Sequence, residues 1–205
     1  MTRKLLPDEL LTPPAAYPVT LAEVKARLRI ETADYDADLA AMIAAATTDV
    51  ETYLGRALIT RSYRGFLDGW PDDRDGGGRA VRHVEIPMPP LVSIDYVKTW
   101  DDSDAATVWD PADYYADTHS TFGRLVRRRG QPWPRSEPMR AANAVEIGWT
   151  CGVGAALRPF LDDYASLGLM LTVAAYNENR GDASAPDALP DNAMRALGSR
   201  RLTWL

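Results

Sequence analysis

Asp34, Asp36 and Asp38 stand at alternate positions, the spacing at which carboxylates open a calcium-binding loop. That loop needs glycine at its sixth position and glutamate at its twelfth, where this chain has Leu39 and Ala45. They read instead as a solvated helix N-terminus, with Asp36 or Asp38 favourable beside the helix dipole. Gly76-Gly77-Gly78-Arg79 suggests a phosphate loop, yet it lacks the Lys-Ser/Thr pair and leads into a strand-like run. It reads as a hairpin loop. His83 and His119 have no metal-ligand spacing, and no Gly-x-Ser-x-Gly elbow accompanies them. Cys151 is the single cysteine, which excludes an internal disulfide and a cysteine-only metal cage. It lies in an apolar run and reads as a buried, inert thiol. No catalytic residue, metal ligand or cofactor is expected, and the chain does not read as an enzyme.

Two basic segments remain. Arg127-Arg128-Arg129 is the densest positive run, and in a strand its side chains would alternate faces rather than meet one partner. A solvated sheet edge, or a salt bridge to an acidic neighbour, both fit. The end of the chain, Arg200-Arg201-Leu202-Thr203-Trp204-Leu205, pairs two cations with alternating apolar residues. Such a tail either docks on another chain or folds back on its own helices. Trp70, Trp100, Trp109, Trp133 and Trp149 lie in or beside a strand-rich region, where core and turn packing accounts for most of them.

The elements that must position these groups begin with two helices. Thr20 and Glu23 have capping-box spacing, with Val19 and Val24 placed as a hydrophobic staple. Leu39, Met42, Ile43, Ala46, Val50, Tyr53 and Leu54 form one face of a second helix, which Gly55 stops. Residues 1–18, rich in proline, read as an extended arm. From Ile59 the pattern changes to short β-prone runs at 59–67, 80–86, 91–100, 114–116, 122–127 and 144–150, separated by Gly, Pro and Asp clusters. Helix returns from about Arg158 to Asn179, and a short helix spans Asp191 to Leu197.

The expected fold is α+β: a helical bundle from the N- and C-terminal segments with an inserted small antiparallel β lobe. The expected divisions are 1–58 for the arm and helical hairpin, 59–155 for the lobe, and 156–205 for the C-terminal helices and tail. On the third helix Leu161, Tyr164, Gly168, Leu171 and Ala175 form the expected core face. Leu157, Leu169, Met170 and Val173 lie off it, and Leu169, Met170 and Val173 are expected to meet a neighbouring subunit.

The formal charge of −6 over 205 residues opposes tight, nonspecific binding to phosphate. No signal peptide is visible, and the longest near-apolar run, Leu167 to Tyr176, is too short to cross a bilayer. A soluble protein with no membrane partner is expected.

Pro18-Val-Thr-Leu-Ala-Glu-Val-Lys-Ala-Arg-Leu-Arg and Val50-Glu51-Thr52-Tyr53-Leu54-Gly55-Arg56-Ala57-Leu58 open and close the helical hairpin. Pro87-Met88-Pro89-Pro90-Leu91, Gly123-Arg124-Leu125, Pro132-Trp133-Pro134, Gly148-Trp149-Thr150-Cys151-Gly152 and Tyr176-Asn177-Glu178-Asn179-Arg180 follow in order. This series resembles the head–tail connector, or adaptor, proteins of long-tailed phages and gene-transfer particles. Arg158-Pro159-Phe160-Leu161 departs from the Val-Pro-x-x-Ile usual there. The resemblance implies a structural protein of the virion neck, made in the bacterial cytoplasm. It implies a self-assembled ring, usually of twelve, between the portal protein and a downstream head-completion or tail protein, with DNA passing through unrecognised. Arg200, Arg201, Leu202, Trp204 and Leu205 are then the candidate portal-docking tail. A cellular protein-binding or regulatory module with a helical bundle is the alternative.

Overall fold

A computed structural model describes residues 5, 9–12, 16–71, 81–134, 138–153, 163–179 and 189–202. The chain divides into two units, a β unit of Met1–Pro13 with Thr60–Gly152 and a helical unit of Pro14–Ile59 with Val153–Leu205. The class is mixed α and β.

In the helical unit, α1 (Leu21–Leu28) starts where the sequence predicts, because Thr20 accepts from the Glu23 backbone and the Glu23 carboxylate accepts from the Thr20 backbone at 2.8 Å. Val19 and Val24 are both buried beside it. Helix α2 (Asp36–Leu54) begins three residues before the apolar pattern, with Asp36 and Asp38 in its first turn. Gly55, at φ +66°, ends it in the left-handed region. Leu39, Ile43, Ala46, Val50 and Leu54 of α2 join Leu169 and Val173 of α3 (Asp163–Glu178) and Leu197 of α4 (Asp191–Leu197) in one apolar core. Removing these side chains from water supplies the main drive for this unit, at about 25 cal/mol per Å².

The β unit holds two antiparallel sheets. Strands β1 (Glu9–Thr12), β2 (Arg61–Leu67), β8 (Val145–Cys151), β4 (Leu91–Trp100) and β5 (Ala106–Val108) lie side by side in that order. Strands β3 (His83–Ile86), β7 (Gly123–Arg127) and β6 (Tyr114–Asp117) form the second sheet. Central β8 is buried on both faces, so Glu146 is buried as well as Ile147 and Trp149. The connecting segments meet in an aromatic cluster. Trp70 stacks on Trp133 with ring centroids 4.6 Å apart, and Trp109 lies 4.9 Å from Tyr114.

Two strands escape the sequence pattern. Glu9–Thr12, expected within an arm leading to the helices, pairs with β2 as an edge strand. Ala106–Val108 pairs with β4 as the opposite edge. Each is four residues or fewer with every residue exposed, so neither shows an alternation of buried and exposed positions.

Candidate assembly surfaces

The buried face of α3 is Ala165, Gly168, Leu169, Thr172 and Val173. This corrects the expectation for Leu169 and Val173. They are 0% and 1% exposed inside their own subunit's core, and Met170 is half-buried against the same core. Their side chains are not offered to a neighbour. The sequence conceals this face because Thr172 does not look apolar, and Gly168 is the one described member expected on it. Thr172 sits in the core with its hydroxyl donating to the Gly168 carbonyl at 2.9 Å. Gly168 leaves its space to α4, since a Cβ there would stand 2.6 Å from Leu197 Cγ. Leu171 and Ala175, expected on the core face, are only half-buried, and Leu167 is exposed. Leu157, Leu161 and the Tyr164 side chain lie outside the described residues.

The tail is anchored at its root. The Leu202 N–H donates to the Leu54 carbonyl at 2.8 Å, and the Arg201 guanidinium lies 5.0 Å from the centre of the Tyr53 ring. Arg200 closes a short 3-10 turn, Gly198–Arg200, after α4. Arg201 and Leu202 therefore fold back on the end of α2, while Arg200 and Arg201 remain exposed. Trp204 and Leu205 lie outside the described residues.

The arginine run behaves differently from a strand. Strand β7 ends at Arg127, whose N–H pairs with the Arg82 carbonyl. Arg128 then donates its N–H to the Asp113 carbonyl, and the chain turns through Gly130 at φ +88°. Release from strand alternation lets Arg127, Arg128 and Arg129 line one open cleft with Arg82, Gly130, Gln131 and Pro132, about 260 Å³ in volume. Arg127 is fixed by donation to the Gln131 carbonyl at 2.9 Å and by stacking 5.4 Å from the Trp133 ring centre. Arg128 lies 5.7 Å from the ring centre of Tyr115, which is exposed. Among the described residues, no ion pair involves Arg82, Arg128 or Arg129.

The other ionisable groups have structural roles. Glu51, buried in α2, accepts from the backbone N–H groups of Leu58 and Ile59 at 2.7 and 3.3 Å. Glu146 accepts from the Tyr96 hydroxyl at 2.8 Å and from Trp100 Nε1 at 3.1 Å, with Lys98 Nζ at 3.9 Å. Burial, that hydrogen bond and the Glu146 charge together push the Tyr96 phenol up to about 12. Hydrogen bonds from Arg124, Ser120 and the His119 backbone hold the Asp117 carboxyl well below the usual carboxylate range. They pin the loop joining β6 to β7. Asp36 pairs with Lys25 at 2.6 Å, and Cys151 is buried. Among the described residues, no group of three His, Cys, Asp or Glu could hold a metal ion, and no helix is long and apolar enough to cross a membrane.

A family model for phage gp6-like head-tail connector proteins matches residues 18–87. No curated protein matches the chain. Among solved structures, a chain from the neck of an empty gene transfer agent particle, computed with C6 symmetry, is 25% identical. The match covers 96% of each chain with a TM-score of 0.74. A chain of the virion of a native particle is 24% identical with a TM-score of 0.70, covering 96% of each. A chain from the native neck, computed with C12 symmetry, is 24% identical with a TM-score of 0.65, covering 99% of this chain and 97% of that one. Residues 18–87 thus carry the sequence pattern of the phage gp6-like head-tail connector family, on a whole-chain fold shared with neck components of gene transfer agent particles.

Proposed function

We propose that this chain is a virion structural protein, a subunit of the head–tail connector ring that joins the portal vertex to the tail and lets DNA pass. The observation that carries the reading is the 96% two-way coverage of a particle-neck chain, with the connector family pattern on the first helical hairpin. The architecture suits such a joint, with a helical bundle drawn from both ends of the chain and a β lobe inserted between them in sequence. The role is mechanical, with binding in place of catalysis. C6 and C12 symmetry of the related necks supports a ring, and twelve subunits is the copy number we favour. The protein is made in the bacterial cytoplasm and works in the virion neck, between the portal protein and the next completion or tail protein. The tail beyond Leu202 is the candidate for portal docking, with Arg200 to Leu202 as its base.

Complementation tests this function. Particles made without this chain should accumulate as unjoined heads and tails, and purified protein should join them in vitro. Normal joined particles without it would overturn the reading.

A further inference from the structure

We propose that the arginine cleft of one copy receives the acidic link between α1 and α2 of the next copy, making this the contact that propagates the ring. The inference rests on the ring reading above and names its interface.

A head-to-tail ring contact needs two different, complementary patches on the same chain. The cleft is one, with Arg82, Arg128 and Arg129 free of ion pairs among the described residues and Arg127 held rigidly at its wall. It is the opposite in sign to the rest of the molecule. Subtracting its four arginines from the formal charge of −6 leaves −10 on the remainder of the chain. The second patch is the link and the start of α2, where Glu31, Asp34 and Asp38 are exposed. Asp36, in the same group, is paired with Lys25, which leaves Arg27 and Arg29 on the α1 side. Tyr35, 45% exposed, stands among the acids. Carboxylates beside an aromatic ring match guanidinium chemistry, since a planar fork both bonds carboxylate and stacks on a ring. Behind Asp38, the exposed α2 face continues through Ala41, Ala45 and Thr48, small side chains that let a neighbour approach. A short acidic segment also fits the charge distribution better than DNA does. A long polyanion would lie along the acidic surface around the cleft, whereas the link brings its carboxylates directly to the cleft and salt screens the neighbouring copy's more distant charges.

A charge-swap mixture tests the pairing on the full-length chain. One variant carries Arg128→Glu with Arg129→Glu, and the other carries Asp34→Lys with Asp38→Lys. All four positions are exposed, so both variants should stay folded, and the one carrying Asp38→Lys should melt slightly lower because it puts a cation at the N-terminal turn of α2. Each alone presents like charges at every contact, and should need roughly tenfold or more protein to assemble. Mixed in equal amounts, every contact regains opposite charges, so rings should return with the two variants alternating. Mass photometry reads the ring, and native mass spectrometry reads the alternation. Either variant assembling alone like wild type would overturn the proposal, as would a mixture that stays unassembled while wild type forms rings. If the cleft variant assembles normally but loses binding to double-stranded DNA, the cleft serves a polyanion and the proposal falls. A wild-type chain that forms no ring, alone or on portal-bearing heads, would instead sink the ring reading itself.

Discussion

The Glu51 carboxylate accepts the Leu58 backbone N–H at 2.7 Å across the turn that ends α2. The same oxygen takes the Ile59 N–H, so one buried side chain satisfies two donors that the buried segment after the helix would otherwise strand. Glu51→Ala should therefore destabilise the helical unit by about 2–3 kcal/mol, the scale for buried hydrogen bonds to a charged acceptor. Glu51→Gln keeps an acceptor oxygen and should lose less. Urea unfolding of both variants checks the order. An alanine variant as stable as wild type would show that the turn closes without the carboxylate.

Leu169→Ala should cost about 2–5 kcal/mol in the isolated subunit, because the side chain is fully buried against α2 and a cavity would replace it. Leu167→Ala, on the exposed side of the same helix, should change stability by no more than ~0.5 kcal/mol. Denaturant midpoints of the two variants separate the faces directly. Equal losses would mean that the helix is rotated from the arrangement described.

Signals confined to a few neighbouring residues are legible in the sequence. The Thr20–Glu23 capping box and the Gly55 stop form as their local chemistry requires, and β4 covers the whole 91–100 run. What the sequence hides depends on distant partners. Thr172 looks polar until its hydroxyl is seen bonded to its own helix, and only the fold shows that Leu197 fills the space beside Gly168. Thr172 turns the apparent face of α3 away from the true one, which is why Leu169 and Val173 look available to a neighbour and are buried at home. The arginine run departs from its expected alternation for a related reason. Strand geometry separates Arg127 to Arg129 only while the strand lasts, and the length of β7 is set by its pairing with β3 and β6. Edge strands β1 and β5 owe their existence to a neighbour's hydrogen bonds and have no burial pattern to announce them.

Tyr96 should titrate late. Its folded value, about 12, lies above the ordinary phenol value of about 10, so the folded state holds the proton more tightly than the unfolded state does. Its stabilising contribution is complete below about pH 10 and is lost as pH rises through about 12. Glu146→Gln removes the negative charge beside the phenol while leaving an oxygen to accept its proton. The tyrosinate absorbance attributable to Tyr96, isolated by difference against Tyr96→Phe, should then appear at lower pH. An unmoved midpoint would show that burial and the retained hydrogen bond, not the Glu146 charge, raise the phenol.

The root of the tail supplies the last expectation. At Gly55 a Cβ would stand 2.7 Å from the Leu202 carbonyl oxygen, and the backbone there is at φ +66°. Gly55→Ala meets both the left-handed strain and the clash, and should cost about 1–3 kcal/mol. Deleting Thr203 to Leu205 spares the Leu202 N–H bond to Leu54 and should leave the melting temperature close to that of the full chain. Deleting from Arg201 onward removes that bond and the Arg201 contact with Tyr53. The loss should be about 1–2 kcal/mol, which in a chain of this size lowers the melting temperature by roughly 2–8 °C. Head binding measured on the same two truncations separates anchoring from docking. If the shorter deletion melts like the full chain but no longer binds portal-bearing heads, the last three residues dock and the preceding two hold them in place. If it binds heads as well as the full chain does, the tail ends its work at Leu202, and portal contact lies elsewhere on the subunit.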